Sequence, residues 1–187
     1  SFAATSTLRE QILEGAPAAV FASANRATMD RVEAAGATRG GPIVFARNSM
    51  QIAVPPGNPA AIGGLDDFSR AELLIGLCAE PVPCGIYART VLQRAGVTAS
   101  IDTNEPNVRA LLTKVESGEL DAGLVYRTDV AASGVDGIEI GGELNVEADY
   151  LIAGLTNDEH PAAAGFIDFL GSDEGRRILR THEFLTP

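Results

Sequence analysis

Short apolar runs of strand length alternate with amphipathic stretches of helix length along most of the chain, and the connections between them are short. Few architectures accept that pattern: it gives parallel-rich sheets flanked by helices, an α/β fold. The periodicity predicts strands over residues 18–24, 43–46, 50–54, 73–77, 97–101, 122–126, 135–140 and 150–155, the first a buried parallel strand around Val20 and Phe21. Helices are expected over 7–13, 27–35, 85–95, 108–117, 161–170 and 172–180, with short ones near 65–68 and after Asp129. Thr7 and Glu10 have capping-box spacing, and Asn107 is a good N-cap for the helix that follows it. Polar Asn48-Ser49 breaks one apolar path into two strands, so a crossing between two domains is expected there, with residues 150–155 as the return. The resulting division is 1–47 with 151–187, and 48–150.

A chain of 187 residues can bury one core or two small ones. Its net charge of −11 argues against nucleic acid, because a phosphate-binding surface needs clustered Lys and Arg. A small anion remains compatible, since nearby amides and dipoles outweigh distant, screened charge. Lys114 is the only lysine, and His160 and His182, both near helix ends, are the only histidines, which argues against a histidine-based metal site. No Ser-His-Asp order or catalytic acid pair stands out, so no enzyme is expected. No apolar run is long enough to cross a bilayer.

The segment from residue 73 to residue 89 reads as strand, tight loop and helix start. Residues 73–77 are apolar, and Cys78-Ala79-Glu80-Pro81-Val82-Pro83-Cys84-Gly85 follows. The first amides of a helix lack partners within it and sit at the positive end of its dipole, so a helix start is a ready anion site. Gly85 would let a ligand approach the backbone closely. An ordinary α/β loop is the plain alternative. Cys78 and Cys84 flank this loop, either as a disulfide or as two unrelated thiols; their position favours the bridge, which would fix the Cys84 amide. Tyr126 ends a buried strand, where a core or rim tyrosine is the ordinary reading.

Several stretches, in order along the chain, resemble the molybdate-binding proteins of ABC importers. They are residues 1–8; Gly15-Ala16-Pro17-Ala18-Ala19 and on to Ala24; Asn48-Ser49; Val82-Pro83-Cys84-Gly85-Ile86-Tyr87-Ala88; Asn107-Val108-Arg109; and Gly123-Leu124-Val125-Tyr126-Arg127-Thr128-Asp129. The resemblance implies a two-lobed type II periplasmic-binding fold with two crossovers, the first lobe lacking its opening strand and helix ahead of Ser1. It implies a tetrahedral dianion, molybdate or tungstate, held in a cleft by neutral donors, with no cofactor and no direct metal ligand. Carried over by position, the donors are the Thr5 and Ser6 hydroxyls, the Cys84 and Val108 amides and the Tyr126 phenol. Thr5 stands where the family has serine, and Ala19 where it has aspartate. The implied partner is the membrane permease of an ABC importer. The implied location is extracytoplasmic, in the periplasm or lipid-anchored on the outer face of the membrane, which suits a disulfide. A monomer without nucleic acid is expected. The alternative is the effector-binding domain of a LysR-type transcription regulator, which shares the architecture; the Gly-Ala-Pro and Val-Pro-Cys-Gly-Ile-Tyr segments count against it.

Overall fold

The computed structural model describes residues 1–187. In chain order the elements are α1 (Thr5–Leu13), β1 (Val20–Ser23), α2 (Arg26–Ala34), β2 (Thr38–Val54), a 3-10 helix (Leu65–Ser69), β3 (Ile75–Cys78), α3 (Pro83–Ala95), β4 (Thr103–Glu105), α4 (Val108–Glu116), β5 (Ala122–Tyr126), α5 (Arg127–Ala131), β6 (Asp136–Glu139), β7 (Glu147–Leu155), α6 (Ala163–Gly171) and α7 (Asp173–Thr181). The chain forms two compact units, Ser1–Asn48 with Ala148–Pro187, and Ser49–Glu147.

The first unit closes around Ile12 of α1, Phe21 of β1, Met29 and Val32 of α2, and Leu151, Ala153 and Leu155 of β7. Met29 and Val32 lie three apart, which puts both on one helical face, and both are fully buried. Asn25 starts α2 by accepting the Thr28 N–H on Oδ1 at 2.8 Å. The α1 start needs no such cap. It begins at Thr5 with Ala4 before it and no side-chain cap bond, so the expected Thr7–Glu10 box does not form. β1 pairs with β7 in antiparallel register, Val20 opposite Gly154 and Ser23 opposite Leu151. The expected parallel strand is therefore antiparallel, because its neighbour is the strand returning from far along the chain.

Residues 43–46 and 50–54, expected as separate strands, belong to one continuous strand of 17 residues. Asn48 does not break it, although fully buried, because its amide donates to Tyr150 Oη at 3.3 Å. One residue earlier, the Arg47 backbone N–H donates to Leu185 O at 2.6 Å and the Arg47 carbonyl accepts from Leu185 N at 2.9 Å. Tyr150 packs edge-on against Phe45 and Phe184, with ring centroids 6.5 and 5.5 Å apart.

In the second unit the strand order is β2-β5-β3-β4, with β6 also on β2. β3 is parallel to β4 and to β5, as expected, while β2 is antiparallel to β5 and β6. Every residue of β3 and β5 is buried, which is why both read as unbroken apolar runs. The third parallel strand is Thr103–Glu105, not residues 97–101. The Ser100 N–H bonds instead to Phe68 O at 2.8 Å, in the connection leading to the strand. Helix α4 and the loop after it lie close on β3: a Cβ at Gly76 would sit 2.7 Å from Leu111 Cδ1 of the helix and 2.5 Å from Leu120 Cδ1 of the loop. Asn145 holds the end of this unit against β2, accepting Met50 N–H at 3.0 Å and donating to Met50 O at 2.8 Å.

Candidate functional site

Parallel neighbours deliver the carboxyl ends of their strands to the same sheet edge. β4, β3 and β5 are such neighbours, so the starts of α4, α3 and α5 gather along one edge of the second unit. That edge holds three of the expected site residues: Cys84 at the second position of α3, Val108 at the first of α4, and Tyr126 at the end of β5.

The starts of α3 and α4 are open by their own hydrogen-bond patterns. In α3, Ile86 is the first amide to bond back, to Val82 O at 3.1 Å. The Cys84 and Gly85 amides ahead of it therefore have no acceptor within the helix. In α4, Asn107 Oδ1 takes the Ala110 N–H at 2.9 Å, and Leu111 bonds to Asn107 O at 3.3 Å. Val108 and Arg109 are left in the same position. Aligned peptide dipoles put roughly half a positive charge at each start, so the edge attracts anions without a cationic side chain.

The loop before α3 is tightly built. A Cβ at Gly85 would fall 2.0 Å from Ala79 O and 2.6 Å from Cys78 O. Gly85 is thus required because the loop backbone packs on it, a different reason from the ligand approach read from sequence. Arg89, one turn further on, donates from Nη1 to Cys78 O at 2.8 Å and Gly85 O at 3.1 Å, and from Nη2 to Asn104 Oδ1 at 2.5 Å. Its Nε lies 3.5 Å from Glu80 Oε1. The expected Cys78–Cys84 bridge is not formed: both sulfurs are buried free thiols. Cys84 Sγ instead donates to Leu124 O at 3.4 Å. A hydrogen bond with the Cys78 thiol, followed by burial, pushes the Cys84 thiol well above the usual range and so favours the protonated thiol.

Tyr126 is 5% exposed, and its ring meets that of Tyr87 edge-on at 6.4 Å. Asp129, in the first turn of α5, is pushed up to about 6 by burial, against the opposing pull of the Tyr126 amide and Arg109. At neutral pH it is a carboxylate held at a cost.

In the first unit Thr5 and Ser6 open α1, where Leu8 is the first amide to bond back, to Ala4 O at 3.0 Å. Thr5 Oγ1 is buried and accepts the Ala24 N–H at 3.3 Å. An accepting hydroxyl keeps its own proton to give elsewhere. Sequence reasoning passed over Arg89, Asp129 and Asn145. Arg89 and Asn145 owe their roles to partners distant in sequence; Asp129, three residues after Tyr126, had the spacing of an N-terminal acid as its one legible signal. No group of three or more His, Cys, Asp or Glu side chains is arranged to hold a metal ion.

Residues 1–185 match the family described as bacterial extracellular solute-binding protein. The molybdate-binding protein ModA of Mycobacterium tuberculosis is 38% identical over 193 residues, a match that spans all of this chain and 73% of the relative. ModA of Escherichia coli is 30% identical over 199 residues, spanning 98% and 76% of the two chains. Among solved structures, the periplasmic molybdate-binding protein of Azotobacter vinelandii shares the fold with a TM-score of 0.82 at 18% identity, over all of this chain and 86% of that one. The sulfate-binding protein SubI of Mycobacterium tuberculosis gives 0.77 at 14% identity, over 98% and 74%. With the type II periplasmic-binding fold, two open helix starts on one sheet edge and a family match along nearly its whole length, the chain belongs to the bacterial extracellular solute-binding proteins, which carry solutes and do not transform them.

Proposed function

We propose that this protein binds molybdate, and tungstate about as well, outside the cytoplasm and passes it to the membrane permease of an ABC importer. The observation that carries the reading is the pair of adjacent helix starts at Cys84 and Val108, in a chain 38% identical to a molybdate-binding protein. The proposed donors are the Cys84 and Val108 amides, the Tyr126 phenol, and the Thr5 and Ser6 hydroxyls. All are neutral. Fixed amides and hydroxyls stabilise a fully deprotonated oxyanion in a dry site, yet release it more readily than a buried ion pair would. The amides can only donate, so they favour oxygens that bring no proton of their own. Molybdate and sulfate are alike in that respect, so the size of the site must separate them, while tungstate matches molybdate in size and charge.

Titration calorimetry with molybdate, tungstate and sulfate tests the reading. Heat is expected with both metal oxyanions and little with sulfate; no heat with either metal oxyanion rejects it. Thr5→Ala and Tyr126→Phe should each weaken molybdate by about ten- to a hundred-fold, the worth of one hydrogen bond to a charged group.

A further inference from the structure

We propose that Arg89 is a positioning residue for the oxyanion: its guanidinium braces the two loops that present the Cys84 and Val108 amides and so fixes the spacing between them. The inference deepens the proposed function and rests on it. Arg89 reaches four partners, on β3, on the loop after it, on α3 and on β4. Cys78 O, at 2.8 Å, closes β3, where the first loop leaves the sheet. Gly85 O, at 3.1 Å, lies in the first turn of α3, where that loop arrives. Asn104 Oδ1, at 2.5 Å, is on β4, three residues before Asn107 caps the helix that begins with Val108. Glu80 Oε1, at 3.5 Å, is in the first loop itself. One planar group thus ties both ends of the first loop to the strand that feeds the second.

The chemistry of the side chain suits the task. A guanidinium carries five N–H donors in one fixed plane, so what it holds is held in mutual orientation. An ammonium is a point charge on a flexible stem and cannot span the same acceptors. Only 26% of the side chain is exposed, so these bonds work in a partly shielded place. A second, backbone link runs parallel to the brace: Ala79 N–H donates to Glu105 O at 2.8 Å, joining the ends of β3 and β4. The strands are therefore tied without Arg89, and what the guanidinium adds is the position of the loop between β3 and α3. Two amides at a set spacing select an oxyanion by size. Loosening one of them should lower affinity and let a smaller tetrahedral anion compete.

The experiment measures molybdate and sulfate dissociation constants for the wild type, Arg89→Lys, Arg89→Gln and Asn104→Ala, with the ligand-free melting midpoint of each. Arg89→Lys keeps the charge and loses the fork. It is expected to weaken molybdate about ten- to a hundred-fold, the worth of one hydrogen bond to a charged group, and to narrow the molybdate-to-sulfate ratio. Asn104→Ala should narrow the ratio too, and the double variant Arg89→Lys/Asn104→Ala should add little to either single one. A merely structural role would lower the melting midpoint and leave the ratio of the two anions unchanged, which overturns the proposal. An Arg89→Lys protein with wild-type affinity and ratio also overturns it, because charge alone would then suffice. If the wild type gives no heat with molybdate or tungstate, the function proposed above falls and the brace falls with it. If the wild type binds and only the variants behave as wild type, the function stands and the brace alone is rejected.

Discussion

Gly85→Ala is the substitution from which the structure predicts most. The added methyl would sit 2.0 Å from Ala79 O and 2.6 Å from Cys78 O, both backbone atoms that cannot swing aside. Ordinary contact begins near 3.4 Å, so either the loop or the start of α3 must retreat by about 1.4 Å. Overpacking of that kind costs about 3 kcal/mol at the upper end of the usual range. For a chain of this length that lowers the melting midpoint by about 6–12 °C. Gly165→Ala is the internal control. It lies inside α6 with nothing within 4 Å of the new methyl, so removing backbone freedom there should stabilise by about 0.5–1 kcal/mol. The same chemical change thus has opposite signs at two helical sites. Circular dichroism during heating reads both. A Gly85→Ala midpoint within 1 °C of wild type would refute the claim that the loop backbone is seated on this helix start. Molybdate affinity should fall together with stability, because the Cys84 amide moves with the loop.

Four further outcomes follow from the same geometry. Burial lifts Asp129 to about 6 from the ordinary 3.8, so the folded state holds this proton more tightly than the unfolded chain does; the contribution of this group to stability is most favourable below pH 4 and declines as pH rises to 6, by about 2–3 kcal/mol at neutrality. Asp129→Asn should therefore outlast wild type in urea at pH 7.5 and match it near pH 4, and equal midpoints at both values would contradict the assignment. Lys114 pairs with the buried Glu105 at 2.6 Å and holds that carboxyl below its usual range, so Lys114→Met should cost about 1 kcal/mol at pH 7 and progressively less as pH falls through 4, read by chemical denaturation. Asn145→Ala removes both bonds to the Met50 backbone, and a loss of about 2 kcal/mol is expected in the same assay. Asn107→Ala strips the cap from α4 and should cost about 1 kcal/mol, with weaker molybdate binding by calorimetry because the Val108 amide frays.

Much of the second unit was legible because its signals are local. Residues 73–77 and 122–126 are apolar throughout since both faces of those strands are covered, and Asn107 announces its helix by a bond made within four residues. The direction of β1 was not legible, because four apolar residues say that a strand is buried but not which way its neighbour runs. Asn48 misled for a related reason. A polar residue inside an apolar run looks like an interruption until its partner is known, and Tyr150 lies 102 residues away. The apolar character of Val97 and Ile101 suggested a strand, whereas the ladder uses Thr103–Glu105 and leaves those two residues half-buried in the connection. At the candidate site the helix starts could be read, while Arg89 could not: its acceptors are two main-chain carbonyls, an asparagine fifteen positions away and a loop glutamate. Local chemistry marks where an anion can be met; the parts that hold such a place in shape are written in tertiary contacts.

The clasp between Arg47 and Leu185 has a practical side. Main-chain bonds in both directions fasten Leu185 to β2 immediately before Asn48, while the Phe184 ring rests on Tyr150 of β7 and Arg180 of α7 donates to Thr186 at 3.0 Å. Residues fused after Pro187 start three positions from Leu185, so a purification handle or fluorescent reporter placed there tugs on the strand at the point where the chain leaves its unit. A label is better carried by the exposed Gly141-Gly142 turn, where added atoms meet open space.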